Sequence, residues 1–322
     1  MTHPVSDHCD GEKFFNPHAV TGRTWREVAR WSRTRRRTAW PAAVPLVVHP
    51  PPASVKPGQI AVTFIGHSTF LVRSANRAFI TDPVFTTHAG PFGRLGPRRV
   101  RPPAIPLRDL PPIDLVLLSH NHYDHLQPSS IAVFAGAEVV TTLGVGRSLP
   151  AAAGNRRELD WWETTSVRGA RITAVPAQHF SARTLWDKNR TLWCGFVVEI
   201  DGATFYFAGD SGYTPQFAEI GACVPRIDVA LLPIGAYEPR WFMQPMHMNP
   251  DEAVRAHLDT RARVSVGMHF GTFQLTDEGI DEPLCALERA RAAHGVPGEA
   301  FRLLDFGETA IFAAGEGSRS SV

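Results

Sequence analysis

The sequence SHNHYDHL, residues 119–126, places three histidines and one aspartate within six consecutive positions. It directly follows IDLVLL, an apolar run with the length of a buried strand. Side chains two positions apart in an extended chain lie on the same side, so we expect His120 and His122 to bind one metal ion together. Asp124 and His125 follow a bend and can face a second ion. A polar surface loop is the alternative, but such a loop needs no apolar strand leading into it.

Three other strand-like runs also end in a residue that can bind a metal ion. They end at His179, Asp210 and His269. Seven ligands from four strand ends satisfy two ions that share one carboxylate, and we assign Asp210 as the shared ligand. The first ion is assigned to His120, His122 and His179, and the second to Asp124, His125 and His269. We expect two Zn²⁺ ions, with iron and manganese as alternatives, because histidine and aspartate bind all three.

The histidine motif and the order of the later ligands resemble the metallo-β-lactamase superfamily. Five further segments resemble one branch of it, the phospholipases D that hydrolyse N-acylphosphatidylethanolamine. These segments are FIGHST (64–69), TDPVF (81–85), LPPID (110–114), FAGDSGY (207–213) and PIGAYEPRWFM (233–243). The last segment is far more specific than the histidine motif, which the whole superfamily shares. The similarity extends from about Phe14 to the end of the catalytic domain.

The resemblance implies an α+β fold, the metallo-β-lactamase-like αββα sandwich, in which helices cover two stacked sheets. Mixed strands followed by helices in two similar halves are compatible with this fold, although periodicity alone does not select it. The resemblance also implies a reaction. It is the hydrolysis of N-acylphosphatidylethanolamine to an N-acylethanolamine and phosphatidic acid.

The charge of the expected metal centre fits that reaction. Two divalent ions together with the carboxylates of Asp124 and Asp210 leave a formal charge of about +2, which favours an anionic substrate and a hydroxide that bridges the metals. His247 lies in the last resembling region and is expected to position the phosphate or to protonate the leaving alkoxide. Asp124, Asp210 and His247 are therefore the candidate catalytic residues.

Nine residues are expected to contact the substrate or to support the ligands. His67 and Asp82 follow strands and are expected to orient a ligand or the substrate, although either is otherwise an ordinary turn residue. Aromatic and thioether side chains near residue 245 would offer acyl chains a flexible apolar path, and the alternative is that they fill the core behind the site. The other seven candidates are Tyr213, Tyr237, Arg240, Trp241, Phe242, Met243 and Met246.

Other functions remain open on the sequence. The same ions would serve a hydrolase of a lactone or of a soluble or cyclic phosphodiester, with no lipid role. A β-lactamase is disfavoured because many of that group have cysteine where this chain has Asp210. An RNA-processing nuclease shares the histidine motif, but residues 58–322 carry a net charge of −3, which suits a phosphate backbone poorly. A non-enzymatic scaffold would be expected to lose ligands, and all seven are present.

Residues 1–57 are expected to form a basic arm ahead of a catalytic domain at residues 58–322. The arm has nine Lys or Arg against four Asp or Glu. Thr24 and Glu27 have the spacing of a capping box, which predicts a short helix with one apolar and one basic stripe. The apolar stripe contains Trp25, Val28, Ala29 and Ser32, and the basic stripe contains Arg26, Arg30, Arg33 and Arg37. A proline-rich connector, with Pro50, Pro51 and Pro52 at its centre, is expected at residues 41–57.

The basic helix suggests peripheral contact of residues 23–40 with an anionic membrane. The alternative is that its apolar stripe docks on the catalytic domain. The overall charge of +2 indicates no nucleic-acid partner, so the expected partner is a phospholipid substrate, with a homodimer left open. Four dispersed cysteines, no signal-peptide pattern and no apolar run of 18 residues favour a cytoplasmic location, peripheral at the inner face of the membrane where it meets lipid.

Overall fold

The structure, a computed structural model, describes residues 3–49, 54–184 and 186–315. Its strands form two sheets of seven. The first sheet contains β1 (Gln59–Gly66), β2 (Thr69–Arg73), β3 (Ala78–Thr81), β4 (Leu115–Leu117), β5 (Glu138–Thr142), β6 (Arg156–Leu159) and β14 (Thr309–Ala313). The second contains β7 (Thr164–Val167), β8 (Ala170–Val175), β9 (Gly195–Ile200), β10 (Ala203–Phe207), β11 (Val229–Pro233), β12 (Val264–Met268) and β13 (Phe301–Arg302).

Each sheet combines an antiparallel part with a parallel part. The first sheet has the order β14-β1-β2-β3-β4-β5-β6, and its strands from β3 to β6 are parallel. The second sheet has the order β13-β12-β11-β10-β9-β8-β7, and its strands from β10 to β13 are parallel. The loops that follow the parallel strands leave each sheet at the carboxyl ends of those strands. Ligands bind at this end in such sheets.

The core lies between the two sheets because side chains alternate along each strand. On β2, Phe70 and Val72 belong to the central apolar cluster, whereas Leu71 belongs to a second cluster on the opposite face of the same sheet. Phe79 of the first sheet meets Phe205 of the second edge to face, with ring centroids 5.9 Å apart. The sheets therefore pack face to face.

The two sheets are flanked by helices. The α-helices of the described residues are α1 (Trp25–Thr34), α2 (Pro128–Ile131), α3 (Gln216–Cys223), α4 (Arg240–Met243), α5 (Pro250–Thr260) and α6 (Glu282–His294). Ile131 of α2 packs in the outer cluster of the first sheet, and α5 contacts α3, α6 and β11. The expected αββα sandwich is confirmed. No helix within the described residues is both long enough and apolar enough to cross a bilayer.

Asp-Gly between two β-type runs is typical of a tight hairpin, and the spacing of Thr24 and Glu27 predicts a capping box; both form. Asp201 and Gly202 join β9 to β10 with φ angles of 50° and 80°, the left-handed conformation that a tight hairpin requires. Thr24 caps α1, and its hydroxyl accepts a hydrogen bond from Glu27 while the Glu27 carboxylate accepts one from the Thr24 backbone. The three prolines predicted at the centre of the connector, residues 50–52, lie outside the described residues.

The amino-terminal residues contribute to the core. Cys9 and Phe14 are 2% and 1% exposed and belong to the central cluster.

The helix α1 docks through Trp31, which stacks on Phe242 at 4.7 Å and was not in the predicted apolar stripe. Trp25 and Val28 of that stripe are 75% and 43% exposed. The alternative that this stripe docks on the catalytic domain is therefore wrong for Trp25 and Val28.

Candidate metal centre

The predicted ligands come together at one edge of the two sheets. Residues of the histidine motif follow β4 of the first sheet, while His179, Asp210 and His269 follow β8, β10 and β12 of the second. The neighbouring strands β11 and β12 of the second sheet are parallel, so their carboxyl ends lie side by side. The centre is therefore built from both sheets, and each ligand is delivered by a strand that ends nearby.

The ligand atoms form two groups. In the first group, Nδ1 of His122 lies 2.9 Å from Nε2 of His120 and 3.2 Å from Nε2 of His179. In the second group, Oδ2 of Asp124 lies 3.5 Å from Nε2 of His269 and 3.7 Å from Nε2 of His125. Ligands that each lie about 2.0–2.2 Å from one ion are separated by similar distances. Both groups are compact enough to hold an ion.

Asp210 lies between the two groups. Its Oδ2 atom is 3.1 Å from Nε2 of both His125 and His269, and 3.8 Å from Nε2 of His179. Its Oδ1 atom is buried and has no hydrogen-bond partner within the described residues. A buried carboxylate oxygen without a donor is unfavourable unless a cation or water satisfies it. The geometry therefore fits a ligand shared by two ions.

In three of the histidines, a neighbouring group contacts Nδ1 and thereby directs Nε2 toward the other predicted ligands. Nδ1 of His179 donates to the carbonyl oxygen of Met246 at 2.9 Å. Nδ1 of His125 lies 2.6 Å from the carboxylate of Asp82. Nδ1 of His120 lies 2.9 Å from the hydroxyl of Ser119, which itself donates to Asp82. In each case Nδ1 is engaged, so Nε2 is the nitrogen directed at the other predicted ligands and able to bind a cation when it carries no proton.

The electrostatics of the cluster also fit cations. Burial is the main cause that lowers the pKa of His122 to about 3 and that of His179 to about 4, so both are neutral, as metal ligands must be. Burial alone would also lower the pKa of His269, but the Asp210 and Asp124 carboxylates outweigh it and raise that pKa to about 9. Asp210 likewise raises the pKa of His125 well above its usual range. Bound cations would replace these two protons and balance the same carboxylates.

Asp82 and His67 lie around the ligand groups, as expected for supporting residues. Asp82 is fully buried and contacts His125, while Nε2 of His67 lies 3.0 Å from Oδ2 of Asp124. His67, Asp82 and His269 adopt positive φ angles of 60°, 31° and 63°. A positive φ is uncommon for residues other than glycine, although His and Asp adopt it more readily than most, and such residues cluster at functional sites.

His247 faces the shared carboxylate from the second sheet. Its Nδ1 atom lies 3.9 Å from Oδ2 of Asp210 and has no hydrogen-bond partner within the described residues. Its side chain is 12% exposed, and burial lowers its pKa well below the usual value. The structure therefore places a neutral imidazole beside the ligand cluster, within reach of a bound substrate.

Three further residues that were predicted to contact the substrate are Tyr213, Tyr237 and Arg240. Arg240 pairs with Glu252 at 2.7 Å and donates to the carbonyl oxygen of His247. The hydroxyl of Tyr213 donates to Asp259, and Tyr237 is buried. Arg240 supports the segment that carries His247, whereas the side-chain hydroxyls of the two tyrosines are not brought to the ligand groups.

The apolar segment after residue 240 is mostly interior. Phe242, Met243, Met246 and Met248 are between 0% and 7% exposed, whereas Trp241 is 39% exposed. Close packing leaves the four buried side chains little exposed surface, so Trp241 is the residue among these five that faces solvent most. Met246 does contribute through its backbone carbonyl, which holds His179.

A cavity of about 570 Å³ lies beside the histidine motif. Arg183 lies over the ring of Tyr123 at 4.0 Å and donates to the carbonyl oxygens of Asn121 and Leu126. The cavity is lined by Pro91, Phe92, Arg94, Tyr123, Gln127, Pro128, Ser129 and Arg183. Two arginines and an aromatic ring make it suitable for an anionic group next to the metal ligands.

Sequence reasoning missed some residues that support the centre. They are Ser119, which links Asp82 to His120, and Asn16 and Thr21, which bond to the backbone of His179. Ser119 directly precedes the motif, so its position was a usable signal. Asn16 and Thr21 are separated from His179 by 163 and 158 residues, and no sequence pattern connects them.

Comparison with known proteins agrees with this geometry. A family model described as a β-lactamase superfamily domain matches residues 77–270. The chain is 39% identical over 263 residues to N-acyl-phosphatidylethanolamine-hydrolyzing phospholipase D 1 of Caenorhabditis elegans, a match that covers 76% of this chain and 74% of that protein. It is also 39% identical over 278 residues to an uncharacterized protein of Mycobacterium tuberculosis, covering 84% of this chain and 72% of that protein.

A solved structure shares the architecture. Igni18, a metallo hydrolase from the archaeon Ignicoccus hospitalis, superimposes with a TM-score of 0.59 at 25% sequence identity. The match covers 79% of this chain and 98% of that one. This chain therefore shares its fold with a metallo hydrolase.

Proposed function

Because the chain belongs to the metallo-β-lactamase superfamily, in the branch that resembles the N-acylphosphatidylethanolamine-hydrolysing phospholipases D, we propose that it is a phospholipase D with two metal ions. Membership makes it a metal-dependent hydrolase. The proposal adds the substrate, N-acylphosphatidylethanolamine, and the products, an N-acylethanolamine and phosphatidic acid. The relative from Caenorhabditis elegans, matched over three quarters of both chains, supports this choice.

The observation that carries the proposal is the position of Asp210 between two groups of ligands. His120, His122 and His179 would hold one ion, and Asp124, His125 and His269 the other, with Asp210 contacting both groups. When bound, two divalent ions supply Lewis acidity that activates water at neutral pH and offsets negative charge on a phosphate. The chain therefore needs no serine or cysteine nucleophile.

His247 is the candidate residue for positioning the phosphate. Its imidazole is neutral because burial lowers its pKa, so it is better suited to donate one hydrogen bond than to transfer a proton from a charged ring. Its Nδ1 atom is unpartnered within the described residues and faces Asp210. Arg240 donates to the backbone carbonyl of His247, which restrains the backbone that carries the ring.

Charge and exposure around the centre suit a phospholipid. The cavity beside Tyr123 carries Arg94 and Arg183, which would attract a phosphodiester. The exposed Trp25 and Val28 of α1, together with its arginines, would contact an anionic membrane at residues 23–40. These features are the support for a lipid substrate at the membrane surface.

Phosphodiester hydrolysis on lipid vesicles tests the proposal. Metal-loaded protein would be incubated with vesicles of N-acylphosphatidylethanolamine, phosphatidylethanolamine or phosphatidylcholine, and the products identified by mass. We expect release of N-acylethanolamine that His122→Ala abolishes and His294→Ala preserves, because His294 is a surface residue paired with Asp251. No release from N-acylphosphatidylethanolamine by wild-type protein with both ions bound would contradict the lipid assignment.

A second candidate is a hydrolase of a small soluble substrate. The burial of Phe242, Met243 and Met246 favours it, since buried side chains offer little surface to a long acyl chain. A lactone and a soluble aryl phosphodiester belong in the same panel. Turnover of these compounds alone would support this function and would assign the buried segment to the core.

A further inference from the structure

We propose that Asn16 is a positioning residue of the metal centre, and that the N-terminal segment, residues 3–21, completes the side of the centre that carries His179. The inference rests on the metal site of the proposed function. Its test measures metal binding, so it is separate from the identity of the substrate. Residues 3–21 lie far from His179 in the sequence, and no sequence pattern connects the two.

The contact is a double hydrogen bond between one side chain and one backbone. Oδ1 of Asn16 accepts from the amide of His179 at 3.1 Å, and Nδ2 donates to the carbonyl oxygen of His179 at 2.7 Å. Thr21 Oγ1 also donates to that carbonyl at 3.0 Å and accepts from Asn16 Nδ2 at 2.9 Å. Trp193 Nε1 donates to Asn16 Oδ1 at 3.1 Å, so every polar atom of the amide is engaged.

His179 needs this support because it lies outside regular structure. The strand β8 ends at Val175, and β9 begins only at Gly195. Within the described residues, the backbone amide and carbonyl of His179 bond only to Asn16 and Thr21. The ring is held separately by the Met246 carbonyl. Two restraints, one on the backbone and one on the ring, thus fix the direction of Nε2 toward the ligand group.

The N-terminal segment is anchored independently of His179. Phe14 is 1% exposed in the central cluster, and its amide donates to the carbonyl of Asn189 at 2.8 Å. Nε2 of His8 lies 2.8 Å from the Asp160 carboxylate. Asn16 is itself 9% exposed and His179 is fully buried. Asn16 therefore approaches His179 from a fixed position, which is what a residue that pre-organises a ligand requires.

The consequence is a selective effect on one of the two ions. Removing a residue that orients a metal ligand typically weakens metal binding about 10- to 100-fold. The ion held by His120, His122 and His179 should be affected, whereas the ion held with His125 and His269 should bind within about twofold of wild type. A purely structural role would lower stability without separating the two ions.

The experiment uses the full-length apoprotein and Zn²⁺ in competition with a chromophoric chelator, with the visible spectrum of the Co²⁺-loaded protein as a second readout. The test variants are Asn16→Ala, Asn16→Asp and Thr21→Val. Asn16→Asp keeps the acceptor for the His179 amide but loses the donor to its carbonyl. The matched control is Thr260→Val, because Oγ1 of Thr260 is also buried and donates to the Ala256 carbonyl within α5.

We expect Asn16→Ala to weaken one equivalent of Zn²⁺ about 10- to 100-fold and to change the Co²⁺ spectrum, with a smaller effect for Thr21→Val. Asn16→Asp should have at least as large an effect as Asn16→Ala, because its second carboxylate oxygen would face the His179 carbonyl oxygen. Thr260→Val should lower the melting temperature and leave both affinities unchanged. Wild-type affinities in Asn16→Ala would overturn the proposal. If that variant does not fold, wild-type affinities and spectrum in Asn16→Asp and Thr21→Val would overturn it. Metal binding that behaves as expected in a protein that cleaves no lipid would reject the proposed substrate and keep this inference.

Discussion

The Asp82 carboxylate shows how one residue outside the ligand groups controls several ligands. It is 0% exposed, and it accepts hydrogen bonds from the backbone and hydroxyl of Ser119 and from Nδ1 of His125. Burial raises its pKa, while His125 and Ser119 stabilise its charge. Through Ser119 it also reaches His120. A single carboxylate therefore orients one ligand from each predicted ion.

Replacing Asp82 should weaken metal binding. In Asp82→Asn, one donor of the network would meet an amide NH₂ instead of an oxygen, and His125 would lose its anionic partner. We expect about 10- to 100-fold weaker binding of at least one ion, measured as metal retained after dialysis against a chelator of known affinity. Asp109→Asn, at an exposed site, is the control. Full metal retention by Asp82→Asn under the same conditions would show that the network does not orient the ligands.

His8 should make stability depend on pH. It lies 2.6 Å from Asp7 and 2.8 Å from Asp160 and stacks on Trp161. Burial lowers the pKa of His8, but the two carboxylates outweigh it and raise that pKa above 6.5. Because the folded pKa exceeds the unfolded value, the stabilisation is fully present below about pH 6.5 and is lost as the pH rises through the folded pKa.

The difference between wild type and His8→Gln measures this contribution. We expect the difference in the free energy of unfolding to be larger at pH 5.5 to 6 than at pH 8.5, from denaturant titrations of metal-free protein. His49→Gln is the matched control, since His49 also lies near a carboxylate, that of Asp305, at a more exposed position. A difference that grows with increasing pH would contradict the assigned direction of the pKa shift.

In helix α1, the residues that pack against the rest of the protein are not those of the predicted apolar stripe. Its capping box forms as predicted, but Trp31 makes the docking contact with Phe242 and Arg30 lies over the Trp241 ring at 4.6 Å. The apolar stripe of Trp25 and Val28 remains largely exposed. An exposed apolar stripe flanked by arginines is typical of helices that bind at membrane interfaces.

Removing the stripe should weaken membrane binding. We expect Trp25→Ser combined with Val28→Ser to reduce cosedimentation with anionic vesicles several-fold at low salt, because both apolar burial and the adjacent charges contribute. The control pair is Val133→Ser with Leu258→Ser, which are 58% and 47% exposed and lie outside α1. Equal loss in both pairs would mean that α1 has no special role, and unchanged binding in the first pair would remove the proposed contact.

At the scale of the whole molecule, the metal centre connects the two sheets. His120, His122, Asp124 and His125 follow a strand of the first sheet, whereas His179, Asp210 and His269 follow strands of the second. Without cations, two protonated histidines must balance two buried carboxylates. Bound ions would therefore stabilise the packing of one sheet on the other as well as supply the chemistry.

Metal removal should lower thermal stability. At a free ion concentration about 1,000 times the dissociation constant, binding contributes about 4 kcal/mol, which corresponds to a fall of roughly 5–10 °C in Tm on chelation. Differential scanning calorimetry with and without chelator measures the change, and added Zn²⁺ should restore it. His122→Ala should respond less because it lacks one ligand. The same Tm for metal-loaded and metal-free wild type would argue against a site that binds ions tightly in the folded state.

The strand ends and the ligand pattern could be predicted from local sequence, whereas the arrangement of the two sheets came from the family resemblance. An apolar run that ends in His or Asp predicts a strand end with a ligand, and Asp201 with Gly202 predicts a hairpin, because strand period and turn conformation depend on neighbouring residues. The spacing of His120 and His122 likewise depends on local geometry. The distances then place six predicted ligands in two adjacent groups with Asp210 between them, which is the premise of the proposed function.

The residues able to bind metal could be assigned from sequence alone, because that property belongs to the side chain and to the strand that precedes it. The distant residues that support them are known from the three-dimensional structure. Asn16 contacts His179 across 163 positions, and the segment around Phe242 is packed inside rather than open. The physical reason is that hydrogen bonding and burial depend on which separate elements pack together. The periodicity of a single segment does not specify its partner.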